Sequence, residues 1–254
     1  MQNPPLAGLG VLVTGASSGI GRAIAIAAAR AGADVAITYR VNKAGASEVE
    51  REIQSLGRRS TAVQLNLADD RSVRDVGPAA YDALGRLDVW INNAGADILT
   101  ANHAALSPIE KLDLLLAVDL RGTMLASWQA VELLQAQATG GVIINMSWDH
   151  VLTGMSGRNP QMYAAAKGGV LAFSKSLARS VAPRIRVNVL APGWIETSFG
   201  ANLEESMRRT IADSTPLKRW GTPDDVAGAA VFLASPAASF VTGQTILIGG
   251  GAVM

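Results

Sequence analysis

Residues Val11–Gly21 read VLVTGASSGIG and run directly into RAIAIAAARAGA at 22–33. The first residues form a short apolar strand, the middle a glycine-rich turn and the last a helical pattern. That order is what a phosphate-binding strand–turn–helix unit requires. Gly15 can take positive φ without steric cost, Gly19 lets backbone approach a pyrophosphate, and Gly21 lets the new helix pack close to its strand. Ser17, Ser18 and Ile20 complete the turn. The helix N-terminus then offers free N–H groups and a partial positive charge to an anion. Glycine triplets also occur in ordinary tight turns, so the rest of the chain has to decide between the two readings.

The 254 residues carry 49% hydrophobic side chains and a net charge of +1. A chain of that length can bury roughly three-quarters of its unfolded surface. No basic run or acidic tail points to nucleic acid or an anionic membrane surface, and small ligands are the expected partners. There is no cysteine and there are two histidines, which rules out disulfides and thiolate zinc and leaves little room for any metal centre, so none is expected. The apolar stretches are broken by glycine or charge, and no signal peptide or membrane span is read. A cytoplasmic protein is the expectation.

Further strands are expected at 34–39, 61–65, 87–91, 142–146, 185–190 and 245–248, with helical patterns at 46–56, 107–137, 162–182 and 224–233. Ser107 and Pro108 open the long pattern as cap and first-turn residue. The length of that pattern suggests packing against a partner subunit, with Trp128 in the core or an interface. Asp70 is read as the cap of the helix after the third strand. No repeat, low-complexity tract or linker divides the chain, so residues 1–254 are read as one domain. The second strand ends in Tyr39 and Arg40, with Lys43 in the turn. In a dinucleotide-binding unit a carboxylate near this point binds ribose hydroxyls and repels a 2′-phosphate, whereas a guanidinium suits that phosphate. Arg40 is thus either a phosphate ligand, favouring NADP(H) with NAD(H) as the alternative, or a solvated turn residue.

Tyr163 and Lys167 stand four residues apart on a helical pattern and therefore share a face. A tyrosine hydroxyl ordinarily titrates near pH ~10, and a neighbouring ammonium favours its phenolate. The pair could give a proton to a carbonyl oxygen, or take one from an alcohol. The same spacing occurs on many solvated helices. Its position after the fifth strand, at the carboxyl end of the expected sheet, favours the functional reading.

Together TGASSGIG at 14–21, NNAG at 92–95, YAAAK at 163–167, APG at 191–193 and RWGTPDDVAGAAVFLASPAASFVTGQ at 219–244 resemble the short-chain dehydrogenase/reductase family, in particular its 3-oxoacyl-carrier-protein reductase and glucose-dehydrogenase branch. The resemblance implies a single-domain α/β Rossmann fold: a doubly wound, seven-stranded parallel sheet with helices on both faces. It implies NADPH-dependent reduction of a ketone or 3-oxoacyl carbonyl, or the reverse, with Tyr163 as acid and base and Lys167 also binding the nicotinamide ribose. By the same resemblance Asn66 and Leu67 face the adenine, Asn93, Ala94 and Gly95 flank the adenosine ribose, and Pro192, Gly193, Ile195 and Thr197 meet the nicotinamide end. A homotetramer or a dimer is expected, and Phe199–Ile211 as a mobile segment closing over substrate.

Two positions depart from the family pattern. Asp119 stands where an asparagine is usual, and Trp148 where the catalytic serine is usual. Ser147 can replace that serine only if the chain bends after the fifth strand, because adjacent strand residues face opposite sides. Ser156, Asp149 and His150 are other polar candidates in the same loop. A buried Asp119 paired with Lys167 would draw positive charge away from Tyr163. The alternative to an enzyme is therefore a catalytically weakened nucleotide binder acting as a cofactor sensor or assembly partner.

Overall fold

The computed structural model describes residues 3–197, 200 and 203–254. Strand β1 (Gly10–Val13) leads into α1 (Gly19–Arg30), β2 (Asp34–Tyr39), α2 (Lys43–Ser55), β3 (Ser60–Gln64), α3 (Asp70–Leu84) and β4 (Val89–Asn92). The chain continues through α4 (Pro108–Leu115), a π-helical segment (Leu116–Gly122), α5 (Thr123–Ala136), β5 (Gly141–Met146), α6 (Arg158–Val181) and β6 (Ile185–Pro192). It closes with α7 (Glu205–Ser214), α8 (Pro223–Ala234) and β7 (Thr245–Ile248). The strands form one seven-stranded sheet in the order β3-β2-β1-β4-β5-β6-β7, and every pairing is parallel. This is the expected single-domain, doubly wound α/β fold.

Strand periodicity explains how the two faces are filled, since successive side chains point to opposite sides. Val11, Val13, Val35, Ile37, Val89 and Ile91 join a core beneath α1, α2 and α8, while Leu12, Ala36 and Trp90 between them join a core beneath α3, α5 and α6. Both faces are covered, so these strands read as apolar runs rather than alternations. Strand order reverses between β1 and β4, and the loops leaving their carboxyl ends diverge there to open a crevice.

Two local expectations are corrected. The long pattern at 107–137 begins with the Ser107–Glu110 capping box and Pro108, as read, but it is interrupted by the π-helical turn from Leu116 to Gly122. Asp70 does not cap α3: Asp69 does, its carboxylate accepting from the backbone of Arg71 and Ser72. Asp70, inside the first turn, instead forms a two-pronged ion pair with Arg121. An N-cap lies just outside the helix, with extended dihedrals, and Asp69 has them. Among the described residues no helix is long and apolar enough to cross a membrane.

Candidate active site

The glycine loop between β1 and α1 is built around two positions that admit no side chain. Gly15 has φ +65°, and a Cβ there would lie 2.8 Å from Ala94 Cα. At Gly21 a Cβ would lie 2.4 Å from Asn93 Nδ2 and 2.5 Å from the Gly15 carbonyl oxygen. Gly21 thus lets the helix start approach the loop and the β4 turn, rather than the strand itself. Ser18 occupies the N-cap of α1 without a side-chain capping bond, which leaves the first N–H groups of the helix open to an anion.

The turn after β4 braces this loop. Thr14 Oγ1 accepts from the backbone N–H groups of Asn93 and Ala94, each at 3.0 Å, and Asn93 Nδ2 donates to the carbonyls of Thr14 and Gly15 at 2.9 and 3.1 Å. Behind it, buried Asn92 donates to Ser127 Oγ and Asn145 Oδ1 and accepts from Trp90 Nε1. Asn145 in turn donates to Ser174 Oγ. These bonds tie β4, β5, α5 and α6 at the level of the crevice, and leave each buried amide satisfied.

A groove of ≈ 520 Å³ follows the glycine loop and continues along the end of β2 and the β3 turn. Gly15, Ser17, Ser18, Gly19, Ile20 and Gly21 line its start. Tyr39 and Arg40 line its far end with Asn66 and Leu67, and Asn93, Ala94 and Gly95 line its inner side. Arg40 is exposed and makes no ion pair among the described residues. Asn66 spends its amide oxygen on the Ala68 N–H at 3.2 Å, so an adenine amino group would share that acceptor. Lys43 does not line the groove.

A second cavity of ≈ 600 Å³ adjoins the groove at Ile20, Asn93, Gly95 and Thr197. Tyr163 and Lys167 stand on its wall, together with Pro192, Gly193 and Ile195 from the end of β6. Lys167 Nζ lies 5.6 Å from the centre of the Tyr163 ring and 3.1 Å from Asp119 Oδ2. It also donates to the Met146 carbonyl at 3.4 Å. The other Asp119 oxygen accepts from the Ala96 N–H at 2.6 Å. Asp119 sits within the π-helical turn, and such turns re-aim side chains that a regular helix would carry elsewhere.

Comparison with known proteins assigns the chain to a family. The family model described as enoyl-(acyl carrier protein) reductase matches residues 15–253. The L-rhamnose 1-dehydrogenase (NAD(P)(+)) of Sphingomonas sp. (strain SKA58) is 38% identical over 250 residues, spanning 97% of this chain and 96% of that one. The 3-oxoacyl-[acyl-carrier-protein] reductase of Synechocystis sp. is 38% identical over 247 residues, spanning 96% of each. The crystal structure of a short chain dehydrogenase from Burkholderia cenocepacia J2315 in complex with NADP superposes with a TM-score of 0.88 at 33% identity, covering 98% of this chain and 99% of that one. The chain belongs to the short-chain dehydrogenase/reductase family. It is an NAD(P)-dependent oxidoreductase of that family.

Against that family's pattern, the two departures read from the sequence have physical consequences. Ser147 extends the β5–β6 pairing by one bond, its N–H reaching the Leu190 carbonyl at 2.8 Å. It borders the cavity, but it is buried and its hydroxyl donates to the Lys167 carbonyl at 2.8 Å. Trp148 also borders the cavity, its ring edge-on to Tyr163 with centres 5.3 Å apart. Asp149 and His150 lie behind Trp148 rather than on the cavity wall, and Ser156 is exposed away from it.

Burial outweighs both Lys167 and the buried Asp119, which act on the Tyr163 hydroxyl in the opposite directions expected of them. Burial pushes the Tyr163 hydroxyl above the ordinary tyrosine range; Lys167 opposes the rise and Asp119 adds to it. The phenol, not the phenolate, is therefore the favoured form in the chain alone. Burial works against the Lys167 ammonium, but Asp119 and Tyr163 more than offset it, and its pKa is raised.

Several site features had no sequence signal that singled them out. Asp97 borders both cavities, with its carboxylate accepting from the N–H groups of Leu99 and Thr100. An aromatic row runs from Tyr163 through Trp148, His150 and Trp194 to Trp220. Trp220, some twenty-five residues downstream of Trp194 in the chain, joins it only through tertiary packing. Of the predicted closing segment, Phe199, Ala201 and Asn202 lie outside the described residues, and α7 forms its second half.

Proposed function

We propose that the chain is an NADPH-dependent reductase of a ketone or 3-oxoacyl carbonyl, reversible toward the alcohol, in which Tyr163 gives the proton to the carbonyl oxygen. The observation that carries this reading is the Tyr163–Lys167 pair on the wall of a cavity that opens into the glycine-loop groove. The groove residues fit a dinucleotide: a Cβ at Gly15 would collide with Ala94 of the β4 turn and one at Gly21 with Asn93 and the Gly15 carbonyl, while at Gly19, with φ +56°, a Cβ would meet only Thr197 Cγ2 at 3.7 Å. Gly15, Ser17, Ser18, Gly19, Ile20 and Gly21 would hold the pyrophosphate, Arg40 a 2′-phosphate, Asn66 and Leu67 the adenine, and Asn93, Ala94 and Gly95 the adenosine ribose. Pro192, Gly193, Ile195 and Thr197 would hold the nicotinamide end.

When bound, the reduced nicotinamide supplies hydride to the carbonyl carbon. Tyr163, kept neutral by burial, holds the proton that neutralises the developing alkoxide. Lys167 stabilises the phenolate left behind, and Asp119 fixes the lysine head and the Ala96 N–H. Exposed Trp128 on α5 and Phe232 on α8, with Phe240, support an oligomer, a tetramer or a dimer, in which such side chains are covered. A cytoplasmic location fits a cofactor of that kind.

Tyr163→Phe is the test. Turnover of a carbonyl substrate should fall by about 100-fold or more, while NADPH binding, followed by titration, stays within about twofold. Undiminished turnover would refute the assignment. A second reading, a weakened enzyme acting as a nucleotide sensor, draws support from one observation: the Ser147 hydroxyl is committed to the Lys167 carbonyl while Trp148 fills the usual serine position. NADPH binding with no Tyr163-dependent turnover of any carbonyl would favour it.

A further inference from the structure

The cavity beside Tyr163 has the wrong chemistry for a sugar. Away from the groove its wall is formed by Ile98, Leu99, Trp148, Met155 and Trp194. Besides Tyr163 and Lys167, and Asn93 and Thr197 where it meets the groove, three polar side chains border it: Asp97, Ser147 and Asn159. The Ser147 hydroxyl donates its hydrogen bond to the Lys167 carbonyl. The Asp97 carboxylate accepts from Leu99 N–H at 2.8 Å, from Thr100 N–H at 3.0 Å and from the Thr100 hydroxyl. Among the described residues this leaves the Asn159 amide without a partner. A sugar brings several hydroxyls into this space, and each one stripped of water without a partner weakens binding by about tenfold or more.

The apolar wall is also held rigid. Trp148 stacks on His150 with ring centres 5.0 Å apart and planes within 22°. His150 is fixed in turn: its Nδ1 lies 2.6 Å from Asp149 Oδ1, which also accepts the His150 backbone N–H at 2.7 Å. Asp149 is fully buried, with its other oxygen against Gly193 and Gly249, where a Cβ would come within 2.4 and 2.2 Å of it. Trp194 is backed by Trp220, with centres 5.5 Å apart. A flat indole therefore stands in a fixed pose beside the Tyr163 ring, and fixed aromatic faces bind flat apolar rings at little entropic cost.

We infer that the cavity takes an aryl ketone, or a ketone bearing a comparably flat apolar ring, with the ring against Trp148 and the carbonyl oxygen toward Tyr163, and that it discriminates against sugars and polyols. The inference rests on the proposed carbonyl-reductase reading of this site. In the reaction the ketone gains two electrons and two hydrogens, the one on oxygen coming from Tyr163 and then replenished from water, NADPH is oxidised to NADP⁺, and the product is the secondary aryl alcohol.

The test uses the full chain and three substrates: acetophenone and 2-octanone, which has the same number of carbons, with NADPH, and glucose with NADP⁺, the direction in which its ring form can react. Acetophenone should exceed glucose in kcat/KM by about 100-fold or more, as two or more unpaired hydroxyls imply. Trp148→Ala should cost acetophenone about tenfold more than it costs 2-octanone, mainly in KM, and Trp148→Phe should restore most of that loss. Preference for glucose, or equal losses on both ketones, would overturn the inference. A binding measurement separates it from the catalytic reading. Acetophenone titrated calorimetrically into Tyr163→Phe with NADPH should bind, and should bind about tenfold more weakly when Trp148→Ala is added. If no substrate turns over but this binding pattern holds, the ligand class stands and the catalytic reading falls. If acetophenone does not bind, or binds no better than glucose, the ligand class falls.

Discussion

Asp119→Asn isolates the electrostatics of the proton-transfer pair. Lys167 Nζ is 3.1 Å from Asp119 Oδ2 and 5.6 Å from the Tyr163 ring centre. The carboxylate thus lies within about 9 Å of the ring, where a unit charge at an effective dielectric of about 20 acts with about 2 kcal/mol. The sign follows from the charges: a carboxylate disfavours the phenolate and raises the Tyr163 pKa, as found, so its removal lowers it. Lys167, no longer neutralised, pulls in the same direction. The alkaline limb of alcohol oxidation, which needs the phenolate, should therefore move to lower pH. Asparagine can still accept the Ala96 N–H, so the π-turn keeps that tie. Loss of the buried pair should cost about 3 kcal/mol, or a melting temperature lower by about 6–12 °C. The assay is kcat/KM for alcohol oxidation against pH, with tyrosinate absorbance of wild type minus Tyr163→Phe as a readout independent of turnover. An unmoved limb, or one shifted to higher pH, would refute the reasoning; the second result would mean that Lys167 loses its proton once Asp119 is gone.

Two more substitutions probe the groove. Arg40→Ala should weaken NADPH by about 10- to 100-fold, the worth of one or two charge-assisted hydrogen bonds, and leave NADH nearly unchanged; equal losses for both cofactors in a titration would remove Arg40 from the phosphate site. Gly21→Ala places a Cβ 2.4 Å from Asn93 Nδ2 and 2.5 Å from the Gly15 carbonyl, so the loop must shift, and cofactor affinity should fall at least tenfold with a stability loss of about 1–3 kcal/mol; wild-type affinity would show that the loop yields freely.

The fold was legible because its signals are local and periodic. Short runs of three to five mostly apolar residues, such as VLV at 11–13 and VIINM at 142–146, each meet helices on both faces, and the turn glycines sit where φ or crowding demands them. The strand that ends in Asn92 and the turn at Asn93 could likewise be found from their residues. What the sequence could not show depends on distant packing. Nothing in LAVDLRG at 116–122 distinguishes a π turn from an α turn, yet that turn brings Asp119 to Lys167. Asp69 and Asp70 are both good caps on paper, and the position of Arg121 accounts for the role of the second. Whether the Ser147 hydroxyl points into the cavity or at the α6 backbone is settled by a carbonyl twenty residues away.

The departures at 119 and 148 act on Tyr163 in one direction. Trp148 packs T-shaped against the phenol ring where the family pattern has a small hydroxyl, and an indole there displaces water that a serine would admit. Asp119 puts a negative charge where that pattern has a neutral amide. Desolvation and a nearby anion both favour the protonated phenol, and burial is the largest contribution to its raised pKa. A phenol whose pKa is raised keeps its proton at neutral pH, so it can still give that proton to a carbonyl oxygen, though as a weaker acid, and it leaves little phenolate to act as a base. On the proposed reading of the site, these two residues leave alcohol oxidation short of its base at neutral pH. Carbonyl reduction should run across the neutral range, and alcohol oxidation should become appreciable only at alkaline pH.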